Sequence, residues 1–252
     1  MANNETGVIQ PIREIGANLA KTNAQRVANG LPKVGFHCDA AQAIGKVEVD
    51  VQDLRLDYLT IVGHKFYGPR SGALYRRKDS PLLPVVFGGG QEDGLRAGTE
   101  NTPMIVGLAT ACELVHKNID KYNEHFSALQ TYFETQLKNK FNDLISINCQ
   151  KCPFGRLPNT TSLAFHNCHN LMASEILNQT PNLRASLGAA CHSSDAKASY
   201  VLIASGVSVE TSQRTVRLST GRDTTKEQID RVVDQLFNAV NVLRSQRKQL
   251  NN

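Results

Sequence analysis

Two residues stand out by type and position. Lys65 follows "LDYLTIV" (56–62), a segment rich in β-branched and aromatic residues, with His64 beside it and Gly63 and Gly68 on either side. A lysine directly behind a run that should be buried is chemically notable. A buried ammonium either gives up its proton more easily or is used covalently as an amine. Upstream, Asp39 closes a second short segment of the same kind, "VGFHCD" (34–39). The stretch from Asp39 to Lys65 is close to the roughly 30 residues of a βαβ unit, and "AAQAIGKVEVDVQDLR" (40–55) is long enough to be its crossover. If the two strands run parallel, acid and amine both sit at carboxyl ends, the edge where open α/β sheets bind ligands.

An amine and a carboxylate on one sheet edge match what pyridoxal phosphate needs. The amine forms the Schiff base, and the carboxylate keeps the pyridine nitrogen protonated so that the ring can accept electrons. Gln42, three residues beyond Asp39, can face the same pocket and reach the phenolic oxygen, and Asn4 in "NNETG" can supply a further amide. A solvated lysine ending a strand is the alternative reading of Lys65.

The elements around these residues follow from apolar spacing. "ENTPMIVGLATACELVHKNIDKYNEHFSALQTYFETQLKNKF" (100–141) reads as a long helix, with Leu108, Cys112, Val115 and Ile119 at three and four spacing. It crosses from a first domain into a second. There, "TTSLAFH" and "TVRLST" are strand-like. A last helix runs through Ile229, Val232, Val233, Leu236 and Val240, with Thr224 and Glu227 at capping-box spacing.

Composition limits the candidates. The 252 residues, 40% hydrophobic and 20% charged, describe an ordinary globular chain, and a net charge of +5 suits an anionic small ligand as well as nucleic acid. The basic tail at 244–248 has no interleaved aromatic residues, so nucleic-acid binding is not expected. No apolar run approaches bilayer length, and "MANNETG" lacks the regions of a signal peptide, so a soluble cytosolic or nuclear chain is expected. The six cysteines, Cys38, Cys112, Cys149, Cys152, Cys168 and Cys191, read as reduced thiols. "CQKC" (149–152) with His166, Cys168 and His169 has some likeness to a zinc knuckle, but lacks a clean second ligand pair, and no metal is expected.

Taken in order, "ANNETG", "HCDAAQAIGK", "TIVGHKFYGPRSGALY", "GGGQE", "RAGTENTP", "SLGAACHS" and "VRLSTGR" resemble the cysteine desulfurase and selenocysteine lyase family of class V aminotransferase-like pyridoxal phosphate enzymes. "RVANGLP" ahead of "HCDAAQ", the wording around Lys65 and the "AACHS" context point to its selenocysteine lyase branch. The resemblance implies an α/β chain of the aspartate aminotransferase-like fold type I. Residues 1–121 would form part of a cofactor-binding large domain with a mostly parallel sheet, and 122–252 a smaller α+β domain carrying the cysteine loop. The implied reaction is decomposition of L-selenocysteine to L-alanine, with selenium passing to an acceptor protein or reductant, by a cytosolic homodimer.

The same resemblance implies residue roles. Lys65 would hold the cofactor and, once displaced, remove the substrate α proton, with His64 assisting proton movement. Asp39 would pair with the ring nitrogen, and Gln42 and Asn4 would address the phenolic oxygen. Thr99 would reach the cofactor phosphate of the partner subunit. Arg217 would clamp the substrate carboxylate through its planar fork, with Arg222 as the nearby alternative. Cys191, the only cysteine in a loop of small and polar residues, would meet the sulfur or selenium of the substrate. A Cys191 kept protonated could donate to a selenolate and serve cysteine poorly.

The chain also departs from the family pattern. It opens where that pattern is already advanced, so the glycine-rich phosphate loop and the histidine that stacks on the pyridine ring are expected to be missing and the large domain incomplete. Val62 stands where many desulfurases have a phosphate-binding serine, and "GGGQE" reads as a loop near the dimer interface rather than a replacement phosphate cradle. Besides the lyase, two alternatives stand: a cysteine desulfurase, and a catalytically silent scaffold that dimerises with an intact enzyme.

Overall fold

The computed structural model describes residues 1–167, 171–187 and 198–250. The chain forms two compact units. One comprises Met1 with residues 10–119, and the other residues 2–9 with 120–252.

The first unit begins with α1 (Ile12–Ala28). Pro11 precedes it, and Gly30, at φ 70°, ends it with a Leu31 N–H to Arg26 carbonyl bond of 2.8 Å. A three-stranded sheet follows, made of β1 (His37–Asp39), β2 (Tyr58–Val62) and β3 (Gly72–Arg76) in that order. β1 and β2 are parallel, as expected, while β3 returns antiparallel to β2. Cys38, Ala40, Ala43, Leu56 and Leu59 form the buried centre of this sheet. The first part of α2 (Thr102–Phe141) adds Leu108 and Ala111, which pack with Phe66, Cys112 and Val115.

The crossover from β1 to β2 contains no α-helix. It is a chain of tight turns, such as Ala43 N–H to the Ala40 carbonyl (2.9 Å) and Leu54 N–H to the Asp50 carbonyl (3.0 Å). Gly45 at φ 79° and Arg55 at φ 56° interrupt helical continuity, and "VEVDV" between them alternates with a strand's period.

In the second unit β4 (Ile145–Ile147), β5 (Thr160–Phe165) and β6 (Thr215–Ser219) form an antiparallel sheet with β5 at its centre. Short helices α3 (Ala173–Asn178), α4 (Tyr200–Ala204) and α5 (Val209–Gln213) precede β6. The long α6 (Lys226–Leu250) follows it. Leu129, Phe133, Leu137 and Phe141 of α2, four residues apart, pack with Ile229, Val233, Leu236 and Val240 of α6 over Leu163, Phe165, Val216 and Leu218 of the sheet. The α6 capping box lies one residue later than expected. Thr225 Oγ1 accepts from Gln228 N–H (3.3 Å) and Gln228 Oε1 accepts from Thr225 N–H (3.0 Å), whereas Thr224 Oγ1 accepts from Gly221 N–H. Among the described residues no helix is long and apolar enough to cross a membrane.

Candidate active site

Asp39 is paired with Thr60 across the two parallel strands, so both strands reach their carboxyl ends on one edge of the sheet. The chain leaves β2 through a 3₁₀ turn, Gly63–Phe66. At three residues per turn its first and fourth positions share a side. Gly63 and Phe66 accordingly point inward and are buried, while His64 and Lys65 are exposed. This corrects the expectation that the Lys65 ammonium is buried. Gly63 sets the geometry, because a Cβ there would stand 2.8 Å from the carbonyl oxygens of Pro69 and Ser71. Its N–H donates to the Ser71 carbonyl (2.8 Å), and its own carbonyl accepts from Gly68 N–H (2.9 Å).

The buried ammonium of this unit belongs to Lys46, which is 7% exposed. Its Nζ donates to the main-chain carbonyl of Lys65 (2.6 Å) and lies 3.4 Å from that of Ile44. Burial, and then the neighbouring Lys65 charge, pull its pKa from 10.5 to about 8. Gly45 permits this placement, since a Cβ there would come within 2.8 Å of Phe66 Cβ. Sequence reasoning missed Lys46. The available signal was a lysine set between apolar residues directly after a glycine, in "AAQAIGKV".

Around this pair, Asp39 Oδ1 accepts from Ala41 N–H (2.8 Å), and among the described residues its other oxygen accepts no hydrogen bond. The Lys65 amine makes no hydrogen bond or ion pair among the described residues. Gln42 is half-buried in the turn after Asp39, and Thr99 is exposed in the segment before α2. No hydrogen bond among the described residues joins either of them to Asp39 or Lys65.

The second unit brings Asn4 and Arg217 together. Asn3 Oδ1 accepts from the N–H groups of Glu5 and Thr6, both at 2.9 Å, and folds "NNETG" into a turn that presents the Asn4 carbonyl to Arg217 Nη1 at 2.7 Å. It is therefore the Asn4 main chain, not its amide, that is engaged. Burial lowers the Arg217 pKa, while the buried Glu5 carboxylate favours its charged form. Glu5 in turn accepts from Ser199 Oγ. The Arg217 main chain exchanges hydrogen bonds with Ser186, at 2.8 and 3.2 Å. Arg222 lies 3.5 Å from Asp223. Cys191 lies outside the described residues, as do Cys168 and His169 of the knuckle-like cluster. The third member of that cluster's second half, His166, has Nε2 at 2.6 Å from Ser146 Oγ, and no metal-capable group of three His, Cys, Asp or Glu occurs among the described residues.

Comparison with known proteins defines the class. The profile described as Aminotransferase class-V matches residues 1–232, and the chain belongs to that family. Among its relatives, selenocysteine lyase of Rattus norvegicus is 48% identical over 96% of this chain and 57% of the relative's length. Cysteine desulfurase IscS of Methanosarcina thermophila is 40% identical over 97% of this chain and 57% of the relative. A NifS-like protein from Rickettsia africae has the same α/β fold, with a TM-score of 0.80 at 30% identity over 96% of this chain and 60% of the other. The chain thus spans somewhat over half the length of the curated relatives it matches.

Proposed function

We propose that this chain carries the lysine, carboxylate and carboxylate-clamp elements of a pyridoxal phosphate-dependent selenocysteine lyase. The observation that carries the reading is the placement of Asp39 at the carboxyl end of β1 and of Lys65 just beyond that of the neighbouring parallel β2, with a carboxylate oxygen and an amine that are unengaged among the described residues. This donor set fits the cofactor. Higher identity to selenocysteine lyase than to cysteine desulfurase supports the choice of substrate.

Bound pyridoxal phosphate supplies an electron sink for the carbon from which selenium departs. Lys65 would hold the cofactor through its amine, and its Nζ would be the base that accepts the substrate α proton. Asp39 would hold the ring nitrogen, Gln42 and the Asn4 side chain would address the phenolic oxygen, and Thr99 would take a phosphate contact across a homodimer. His64 moves protons beside Lys65. Arg217 orients the substrate carboxylate, while its bond to the Asn4 carbonyl fixes one arm of the fork. Cys191 receives the selenium before its transfer to an acceptor protein or reductant. Residues 1–121 act as part of the cofactor domain and 122–252 as the small domain. Exposed Leu83, Val85 and Phe87 beside "GGGQE" suit a subunit interface. A cytosolic setting accords with this chemistry.

The test is the absorption spectrum of the chain with pyridoxal phosphate, before and after L-selenocysteine, beside a Lys65→Ala variant. A visible band that needs Lys65 and changes as alanine is released supports the reading. A band that forms equally in Lys65→Ala overturns it. Equal alanine release from cysteine favours the desulfurase, and no band in either protein favours the silent scaffold.

A further inference from the structure

A pair of free thiols, Cys149 and Cys152, lies in the C-terminal unit, outside the residues assigned above. Cys149 and Cys152 close a β-turn in which Cys152 N–H donates to the Cys149 carbonyl at 3.2 Å. Such a turn keeps its end Cα atoms within about 7 Å, and a disulfide spans Cα separations of about 4.4–6.8 Å. Cys149 adopts φ 55°, the left-handed conformation. The turn is pinned from within. Gln150 Nε2 donates to Glu134 (3.1 Å), and the same carboxylate accepts from Arg156 (2.8 Å) in a pair whose side chains are each 10% exposed.

Both cysteines line an open cavity of about 580 Å³ together with Val8, Ile147, Lys151 and Ser205. Burial raises the Cys149 pKa and the neighbouring Cys152 raises it further, while the Arg156 charge and a hydrogen bond from Ser205 act in the opposite direction. The exposed Lys151 places a cation at the same cavity.

We propose that Cys149 and Cys152 form a redox-active dithiol that small anionic disulfides, of the glutathione disulfide type, oxidise to an internal Cys149–Cys152 disulfide. One cysteine thiolate attacks a sulfur of the incoming disulfide, breaks its S–S bond and expels one thiolate. The second cysteine thiolate attacks the mixed disulfide at the protein sulfur and expels the other. In sum, the dithiol gives two electrons and two protons to the disulfide, which leaves as two thiols. The cavity admits the reagent, Lys151 attracts its carboxylates, and the turn holds the second thiol within reach of the first. This site is independent of the pyridoxal phosphate reading.

The whole chain is incubated with glutathione disulfide at mildly alkaline pH, alkylated and digested with trypsin, which cuts after Lys140, Lys151 and Arg156. The expected product is fragment 141–151 joined to fragment 152–156. Cys149→Ser and Cys152→Ser each stop at a glutathione adduct on the remaining cysteine. Lys151→Glu, which removes the tryptic site between the cysteines and is therefore followed by the loss of alkylatable thiols in fragment 141–156, slows the reaction about threefold or more with glutathione disulfide and leaves the rate with neutral 2-hydroxyethyl disulfide unchanged. Adducts on both cysteines without the joined fragments, or alkylation of both after exposure, overturn the dithiol. An equal effect of Lys151→Glu on both reagents overturns the preference for anionic disulfides.

Discussion

Lys46 donates a 2.6 Å hydrogen bond from its buried amine to the main-chain carbonyl of Lys65, so two lysines meet at one turn, one amine inside the protein and one outside. The folded state holds the Lys46 proton less tightly than the unfolded chain does, with a pKa of about 8 against 10.5. Below about 8 both states are protonated, and the buried charge costs stability. Between about 8 and 10.5 the unfolded chain keeps a proton that the folded one has lost, so stability rises with pH. At 1.36 kcal/mol per unit, the full change is about 3 kcal/mol. The urea midpoint of the native chain is expected to rise from neutral to alkaline pH relative to that of Lys46→Met. A difference between the two that does not vary with pH contradicts this.

Gly63→Ala is expected to destabilise by about 1–3 kcal/mol or more, as overpacking does. The added methyl meets two carbonyl oxygens at 2.8 Å and Leu108 Cδ1 at 2.9 Å. Gly90, at φ −82° and with no atom within 4 Å of where a Cβ would stand, is the control, and Gly90→Ala should be nearly neutral. Urea midpoints of the two variants decide the matter.

The Glu134–Arg156 pair, with both side chains 10% exposed, ties α2 to the segment before β5. Arg156→Met leaves the carboxylate buried without its cation and is expected to cost about 3–5 kcal/mol. The double variant Glu134→Leu/Arg156→Met should recover most of that loss. A double-mutant cycle on unfolding free energies measures it, and additive costs would count against a coupled pair.

Thr225→Ala removes the N-cap of α6 and is expected to cost about 1 kcal/mol. Thr224→Ala removes a loop bond to Gly221 and should leave helix content unchanged. Thermal unfolding followed by circular dichroism separates them, and the reverse order would assign the cap to Thr224.

The long helices and the parallel β1–β2 pair were legible because their signals are local: apolar spacing in α2 and α6, and two compact segments separated by a crossover length. α1 was missed although Pro11 and "ANG" bracket it, because its apolar residues lack a clear stripe and Gly16 is its one buried residue. There a Cβ would lie 2.4 Å from the Leu54 carbonyl, a constraint set by a distant segment. The exposure of Lys65 and burial of Lys46 were illegible for a similar reason. They depend on Gly63 wedging against Pro69 and Ser71, and on Gly45 closing on Phe66, contacts that no periodicity encodes. The link between the Asn4 carbonyl and Arg217 joins residues at opposite ends of the chain, so spacing could not supply it.

That link also has a temporal meaning. Residues 2–9 belong to the unit whose remainder starts at residue 120, and Asn4 finds Arg217 across a separation of 213 residues. At a ribosomal pace of about 5–20 residues per second, roughly ten to forty seconds pass between the emergence of the two. Throughout that interval the Asn4 carbonyl lacks its guanidinium, and residues 2–9 can be held by the earlier partners Gly155 and Leu157.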